Sequence, residues 1–213
     1  MSSHRQSTVS DRVIQQVAAQ AELNTTYLVF MAMSGILAAV ALLTDSVPIL
    51  IGSMLIAPAF APLALVAFAF VGGQPRLALR GLATAVIGLV VAAAFAMLTT
   101  WVMNITNVLP PEANLLNKNL LEERVRPGWY SVVAALAAGV TGAIAITKNK
   151  TDTLVGTVAA LALVPAAAAA GMAFMSRNPS RGFGGLILLG INAGLIIVTG
   201  IVTLLLIRPE QRG

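Results

Sequence analysis

The stretch that decides the fold reads DSVPILIGSMLIAPAFAP, residues 45–62. It is apolar enough for a bilayer, yet it contains Pro48, Pro58 and Pro62. Proline lacks a backbone N–H and collides with the preceding helical turn, so a helix interior tolerates it only where other groups satisfy the freed carbonyls. We therefore expect this segment to kink or unwind. Broken helices at membrane depth often hold ion or substrate sites, although a kinked helix that only packs would have the same composition.

Composition places the chain among polytopic membrane proteins. Of its 213 residues, 58% are hydrophobic and only 10% are charged, whereas soluble domains carry about 25% charged residues. The mean hydropathy is +0.89, and several apolar runs reach the roughly 20 residues that a spanning helix needs. The single histidine is His4 and cysteine is absent, which excludes disulfides, thiolate metal sites and histidine-based catalytic triads. No nucleotide-binding, hydrolase or zinc-protease motif occurs, so we expect no enzyme, metal or cofactor.

The net charge of +5 does not indicate nucleic-acid binding. Lysine and arginine stand singly or in pairs along the chain, without a basic stripe or interleaved aromatic residues. Basic residues between apolar segments instead set the orientation of a membrane protein. We therefore expect membrane lipids as partners, and not nucleic acid.

The pattern predicts an all-α fold with a short lead-in and one transmembrane domain. Residues 8–24, within the lead-in 1–24, read as an amphipathic helix that either lies on the cytoplasmic membrane surface or docks on the helix bundle. Residues 1–7 and the polar stretch after them do not resemble a signal peptide. The transmembrane domain, 25–207, contains about six spans, at about 26–44, 47–72, 81–103, 129–147, 153–175 and 182–207. Residues 104–128 form a polar extracytoplasmic loop, and residues 208–213 a cytoplasmic tail.

Charge predicts the orientation of these six spans. If the amino terminus is cytoplasmic, eight basic residues fall inside and five outside, as the positive-inside rule requires. Both termini are then cytoplasmic. The inside residues are Arg5, Arg12, Arg76, Arg80, Lys148, Lys150, Arg208 and Arg212; the outside residues are Lys118, Arg124, Arg126, Arg177 and Arg181.

The two halves of the chain resemble each other at a constant offset of 104 residues. LIGS at 50–53 corresponds to LVGT at 154–157, and Gly35, Phe70 and Pro75 each meet an identical residue. Asp45 falls on Asn149, and Pro62 misses Pro165 by one residue. Each half, about 25–103 and 129–207, holds three spans, so the second half would enter the membrane in the opposite sense. Such inverted repeats are common in secondary transporters, whose sites lie where the broken helices meet.

The string GSMLIAPAFAPL, residues 52–63, resembles a bacterial and archaeal membrane family known as domain of unknown function 389. The family pattern is roughly G-A-M-L-I-S/A-P-L-M-G-P-I, with Ser53 and Ala61 as the departures here. TGAIAIT at 141–147 and the LVPA around Pro165 are also similar to the family, and the resemblance covers about residues 30–206. It implies several helices in a prokaryotic cytoplasmic (inner) membrane and no established activity.

The predicted site lies between the second and fifth spans, and we expect prolines to break both of them. Carbonyls freed near Ala57 and Val164 would supply ligands, together with the hydroxyls of Ser53 and its counterpart Thr157 and the mid-span amide of Asn192. The full predicted set is Asp45, Gly52, Ser53, Ala57, Pro58, Pro62, Gly156, Thr157, Val164, Pro165 and Asn192.

Each of these residues also has a structural interpretation. Asp45 is either a cation or proton site or a helix-terminal cap. Asn192 either lines the site or joins helices, and hydroxyls such as Ser34 and Ser53 often bond to their own helix. Arg76 and Arg80, four residues apart, either attract lipid phosphates or an anionic solute or only anchor the topology.

Two functions fit these sequence features. The first is a small secondary transporter or channel-like protein for a neutral molecule, small ion or lipid. The second is a non-transporting oligomeric scaffold or lipid-binding protein. A water-filled cavity that reaches Ser53 and Asn192 would favour the first, and dry packing to the midplane the second. Small residues on nearly every helix predict a homo-oligomer in either case.

Overall fold

The computed structural model describes residues 11–106, 120–121, 125, 128–148, 154–176 and 180–207, with the backbone alone for residues 130 and 154–162. Helix is the regular secondary structure throughout these ranges, as the sequence predicted. The described helices are α1 (Asp11–Gln20), α2 (Thr25–Thr44), α3 (Val47–Ile56), α4 (Phe60–Val71), α5 (Pro75–Ile105), α6 (Trp129–Thr147), α7 (Leu154–Phe174) and α8 (Ser180–Leu206).

Three of these helices are long and apolar enough to cross a membrane: α2, α5 and α8. The pair α3 and α4 adds a fourth candidate as one broken span, bent by 48°. The fully described parts of α6 and α7, Ser131–Thr147 and Leu163–Phe174, are apolar but shorter. The length and apolar composition of these helices fit the membrane-protein class, while six spans remain a prediction.

The break between α3 and α4 follows from where the prolines fall. Pro48 lies in the first turn of α3 and Pro62 in the first turn of α4, where a backbone N–H needs no helical partner. Pro58 lies in the link, and Ala57 before it is extended, with ψ of 118°, as the residue before a proline prefers. The expected interruption of the second span is thus confirmed.

The expected interruption of the fifth span is wrong. Helix α7 runs from Leu154 to Phe174 with Pro165 inside it. One proline removes one hydrogen bond, and the five alanines that follow it are the strongest helix formers. Pro165 is also buried among packed neighbours, which hold the helix together across the defect.

Helix α1 docks on the bundle. Ile14 and Val17 are 0% and 2% exposed, and they pack with α4 residues that include Phe68 and Leu65. Two polar contacts flank this interface: Gln74 Nε2 donates to Asp11 Oδ1 at 3.2 Å, and Arg80 pairs with Glu22 at 3.3 Å. The apolar face of α1 is therefore covered by protein, which decides between the two predicted positions.

Two helix pairs approach closely at glycines. A Cβ atom at Gly35 of α2 would overlap the carbonyl oxygen of Ala92 in α5, and one at Gly139 of α6 would lie 2.6 Å from the carbonyl oxygen of Ile196 in α8. Both partners in the second contact are 104 residues beyond those in the first. Small residues permit such close backbone packing between membrane helices.

Candidate functional site

The region around the break is held by two buried serines. Ser34 Oγ, on α2, donates to the Ser53 carbonyl oxygen at 2.7 Å, in the last turn of α3. Ser53 Oγ in turn donates to the Leu50 carbonyl oxygen at 2.7 Å. Both side chains are fully shielded. The Ser53 hydroxyl is thus bonded to its own helix, and the cross-helix contact uses its backbone carbonyl.

Helix α3, which ends at the break, packs against α7, which contains Pro165. Ala57 and Val164 belong to one buried cluster, together with Met54 and Leu163, and α3 contacts α7. Val164 is fully shielded and Ala57 is 8% exposed. Among the other predicted residues, Pro62 and Pro165 are buried and Gly52 and Pro58 are partly buried. Gly156 and Thr157 lie on α7, but their side chains are outside the described residues.

Asn192 joins α8 to α6. Its Nδ2 donates to the hydroxyl oxygen of Ser131 at 2.6 Å, and the Asn192 side chain is completely buried. This bond supports the helix-joining interpretation. Ser131 was absent from the predicted set, because a partner 61 residues away in sequence is fixed by helix packing and not by local pattern.

Asp45 ties the α2–α3 turn to a distant segment. It ends α2 in the left-handed conformation, with φ of 55°, which aspartate tolerates better than most residues. Its Oδ1 accepts the backbone N–H of Leu120 at 2.9 Å, and neighbouring Leu121 is buried. Asp45 is thus the C-cap residue of α2, where its backbone N–H donates to the Ala41 carbonyl oxygen, and its carboxylate binds a segment distant in sequence.

Arg76 and Arg80 are both exposed on the first turns of α5. Arg80 is engaged by Glu22 of the lead-in, with both side chains more than half exposed. Exposed ion pairs of this kind contribute little stability. The contact nevertheless gives Arg80 a protein partner, so of the two predicted anion-binding residues only Arg76 makes no ion pair within the described part of the chain.

The described residues contain no group of three acidic or histidine side chains arranged to hold a metal ion. A model of the family described as Domain of unknown function (DUF389) matches residues 54–198, from the end of α3 well into α8. The chain belongs to this family. The DUF389 match includes the second and third prolines of the broken span and Asn192, but begins after Asp45 and Ser53.

A relative in Methanocaldococcus jannaschii, the uncharacterized protein MJ0678, is 26% identical over 182 residues. The alignment covers 85% of this chain and 54% of the relative. The chain thus spans about half the length of that protein. No solved structure matches this DUF389 chain.

One cavity of this DUF389 protein lies away from the predicted site. It measures about 310 Å³ and is formed by α5, α7 and α8, with apolar lining residues throughout. The sequence pattern did not predict it. A local signal is present in the run of small residues after Pro165, where Ala167, Ala170 and Gly171 leave room between the helices.

Proposed function

We propose that this chain is a small membrane transport protein, with its solute site between the α3–α4 break and α7. A broken span supplies backbone carbonyls that a continuous helix would consume, which is how many transporters bind small solutes. The buried polar side chains of the described residues are serine, threonine and asparagine, and none of them is charged. The solute would therefore be a neutral molecule, a small ion or a lipid.

The observation that carries this proposal is the repetition of contacts at the offset of 104. Gly35 packs on the Ala92 carbonyl, and Gly139 packs on the Ile196 carbonyl. Likewise, Tyr27 contacts Gly88 in the first half, where its ring fills the space over the glycine. The positions 104 residues later, Ser131 and Asn192, also contact each other, through a hydrogen bond. Equivalent contacts in the two halves support a three-plus-three repeat. With three spans in each half, the repeat would be inverted, with both termini on the cytoplasmic side of a prokaryotic inner membrane.

In this arrangement the site would be closed. Ser34, Ser53 and Val164 are shielded, and the two hydroxyls already donate to carbonyls. Transport would require α3 and α4 to separate from α7, which would expose Ala57 at the break and Val164 on α7. The asymmetry between a broken α3–α4 span and an unbroken α7 favours the first half as the moving part.

A second candidate function is a non-transporting oligomeric scaffold or lipid-binding protein. The packed contact between α3 and α7 favours it, because Met54, Leu163 and Val164 leave little room for a solute. In this alternative the small-residue faces would join copies of the chain, and neither function involves catalysis.

The absence of cysteine provides a direct test. Ala57→Cys is introduced at the break, and Ala39→Cys, at a fully buried position of α2, serves as the matched control. In proteoliposomes, a membrane-impermeant thiol reagent is applied from each side in turn. Alternating access predicts that Ala57→Cys reacts from both sides and Ala39→Cys from neither. If both variants stay unreactive from both sides, transport through the break is rejected and the scaffold becomes the working function.

A further inference from the structure

The apolar cavity is a groove along α5. Its lining on this helix extends from Val86 to Met97, which is about 17 Å at the rise of an α-helix. The opposite wall comes from α7 and α8. Gly171 lets α7 approach α5 closely, since it has no side chain. A Cβ atom at this position would lie only 3.1 Å from Met97 Cγ. The groove is thus long, narrow and closed on one side by small residues.

The mouth of the groove opens on the outer surface of the bundle. Val86, Val90 and Leu186 line it and are 52%, 61% and 45% exposed. They belong to α5 and α8, which are both long and apolar enough to span a membrane. Exposed apolar residues on such helices face hydrocarbon, so the groove is reached from the lipid.

One end of the groove lies at the first turn of α8, which carries a cation. Phe174, a lining residue, contacts the first turn of α8: a Cβ atom at Gly182 would lie 2.8 Å from its ring, and its centroid is 5.3 Å from that of Phe183. Arg181 immediately precedes Gly182 and is partly exposed. A charged residue at the end of a spanning helix lies at the head-group level.

We propose that this groove binds one acyl chain of an anionic phospholipid, with the lipid phosphate at Arg181. The apolar wall matches the chain, and the positive charge at one end matches the head group. The groove shares no residue with the α3–α4 break, so the inference stands apart from transport.

Bound lipid would bridge the two halves of the chain, since α5 belongs to the first and α7 and α8 to the second. Phosphatidylglycerol should therefore remain bound after detergent purification and raise the melting temperature more than phosphatidylcholine with the same acyl chains. Native mass spectrometry counts the retained lipids and the copies of the chain in one measurement. A parallel experiment with a free fatty acid separates binding of the acyl chain alone from recognition of the phospholipid head group.

Ala93 lines the groove, so Ala93→Leu fills it. Ala94, the next residue of α5, is exposed, so Ala94→Leu adds the same side chain outside the groove and serves as the matched control. We expect Ala93→Leu to reduce phosphatidylglycerol retention by roughly tenfold, because each displaced methylene lowers affinity, and Ala94→Leu to retain it. Val90→Phe, at the exposed mouth, gives the same reduction if Ala93→Leu does not fold.

Arg181→Gln should lower the preference for phosphatidylglycerol over phosphatidylcholine by roughly fivefold, while Arg76→Gln, at the other end of α5, leaves it unchanged. Retention unaffected by both groove variants would overturn the site. A preference unaffected by Arg181→Gln, or equal retention of the free fatty acid, would overturn phospholipid recognition. If Ala93→Leu changes the number of copies and not the lipid count, the groove binds a second chain and the proposal is wrong.

Discussion

The Asn192 amide nitrogen lies 2.6 Å from the Ser131 hydroxyl oxygen, and this buried bond joins α8 to α6. The corresponding positions in the first half are Gly88 and Tyr27, where the tyrosine ring occupies the space over the glycine. The Tyr27 hydroxyl then donates to the Thr84 carbonyl oxygen at 3.2 Å. The same inter-helix position is thus filled by a polar pair in one half and by an aromatic ring in the other.

Replacing Asn192 with alanine should destabilise the protein by about 1 kcal/mol, the order of magnitude of a hydrogen bond between membrane helices. Thermal unfolding in detergent measures this loss. Ser131→Ala and the double variant complete a mutant cycle, which isolates the coupling between the two side chains. If the double variant equals the sum of the single ones, the bond contributes nothing and Asn192 is better treated as a site residue.

The close glycine contacts provide a sharper pair of variants. Gly35→Ala and Gly139→Ala each push a methyl group into a backbone carbonyl, and overpacking of this kind costs about 1–3 kcal/mol. Gly190 and Gly194, on exposed α8 positions, have no atom near an added Cβ. Alanine there should be neutral or stabilising because it favours helix. Equal melting temperatures for all four variants would contradict the α2–α5 and α6–α8 packing and weaken the proposed repeat.

The Asp45 carboxylate should matter as a hydrogen-bond acceptor. Asp45→Asn retains an acceptor oxygen and tolerance of positive φ, so we expect near-normal stability. Asp45→Ala loses the bond to the Leu120 N–H and adds backbone strain, which together should cost about 1–3 kcal/mol. Thermal unfolding and limited proteolysis near residue 120 report the change. Asn and Ala variants that are equally impaired would indicate that the charge itself is needed, as in an ion site.

How much the sequence predicts depends on whether the cause is local. The break around Pro58 and the amphipathic α1 were predictable, because proline geometry and apolar periodicity act within a few residues. The unbroken course of α7 past Pro165 was not, because it depends on burial among neighbouring helices, which outweighs one missing hydrogen bond. The bond from Asp45 to Leu120 and the groove beside Met97 were also not predictable, since both depend on which helices meet after folding.

The predicted orientation can be tested without knowing the solute. Arg76→Cys at the start of α5 and Lys148→Cys after α6 are both exposed, and a six-span inverted arrangement puts them on the cytoplasmic face. Thr44→Cys, exposed at the end of α2, should lie on the opposite face. In oriented vesicles, an impermeant thiol reagent should therefore label the first two variants from one side and the third from the other. Labelling of Arg76→Cys and Lys148→Cys from opposite sides would mean that α5 and α6 together cross the membrane an odd number of times. The two halves could not then be inverted three-span units, and a site shared between α3–α4 and α7 would lose its architectural basis.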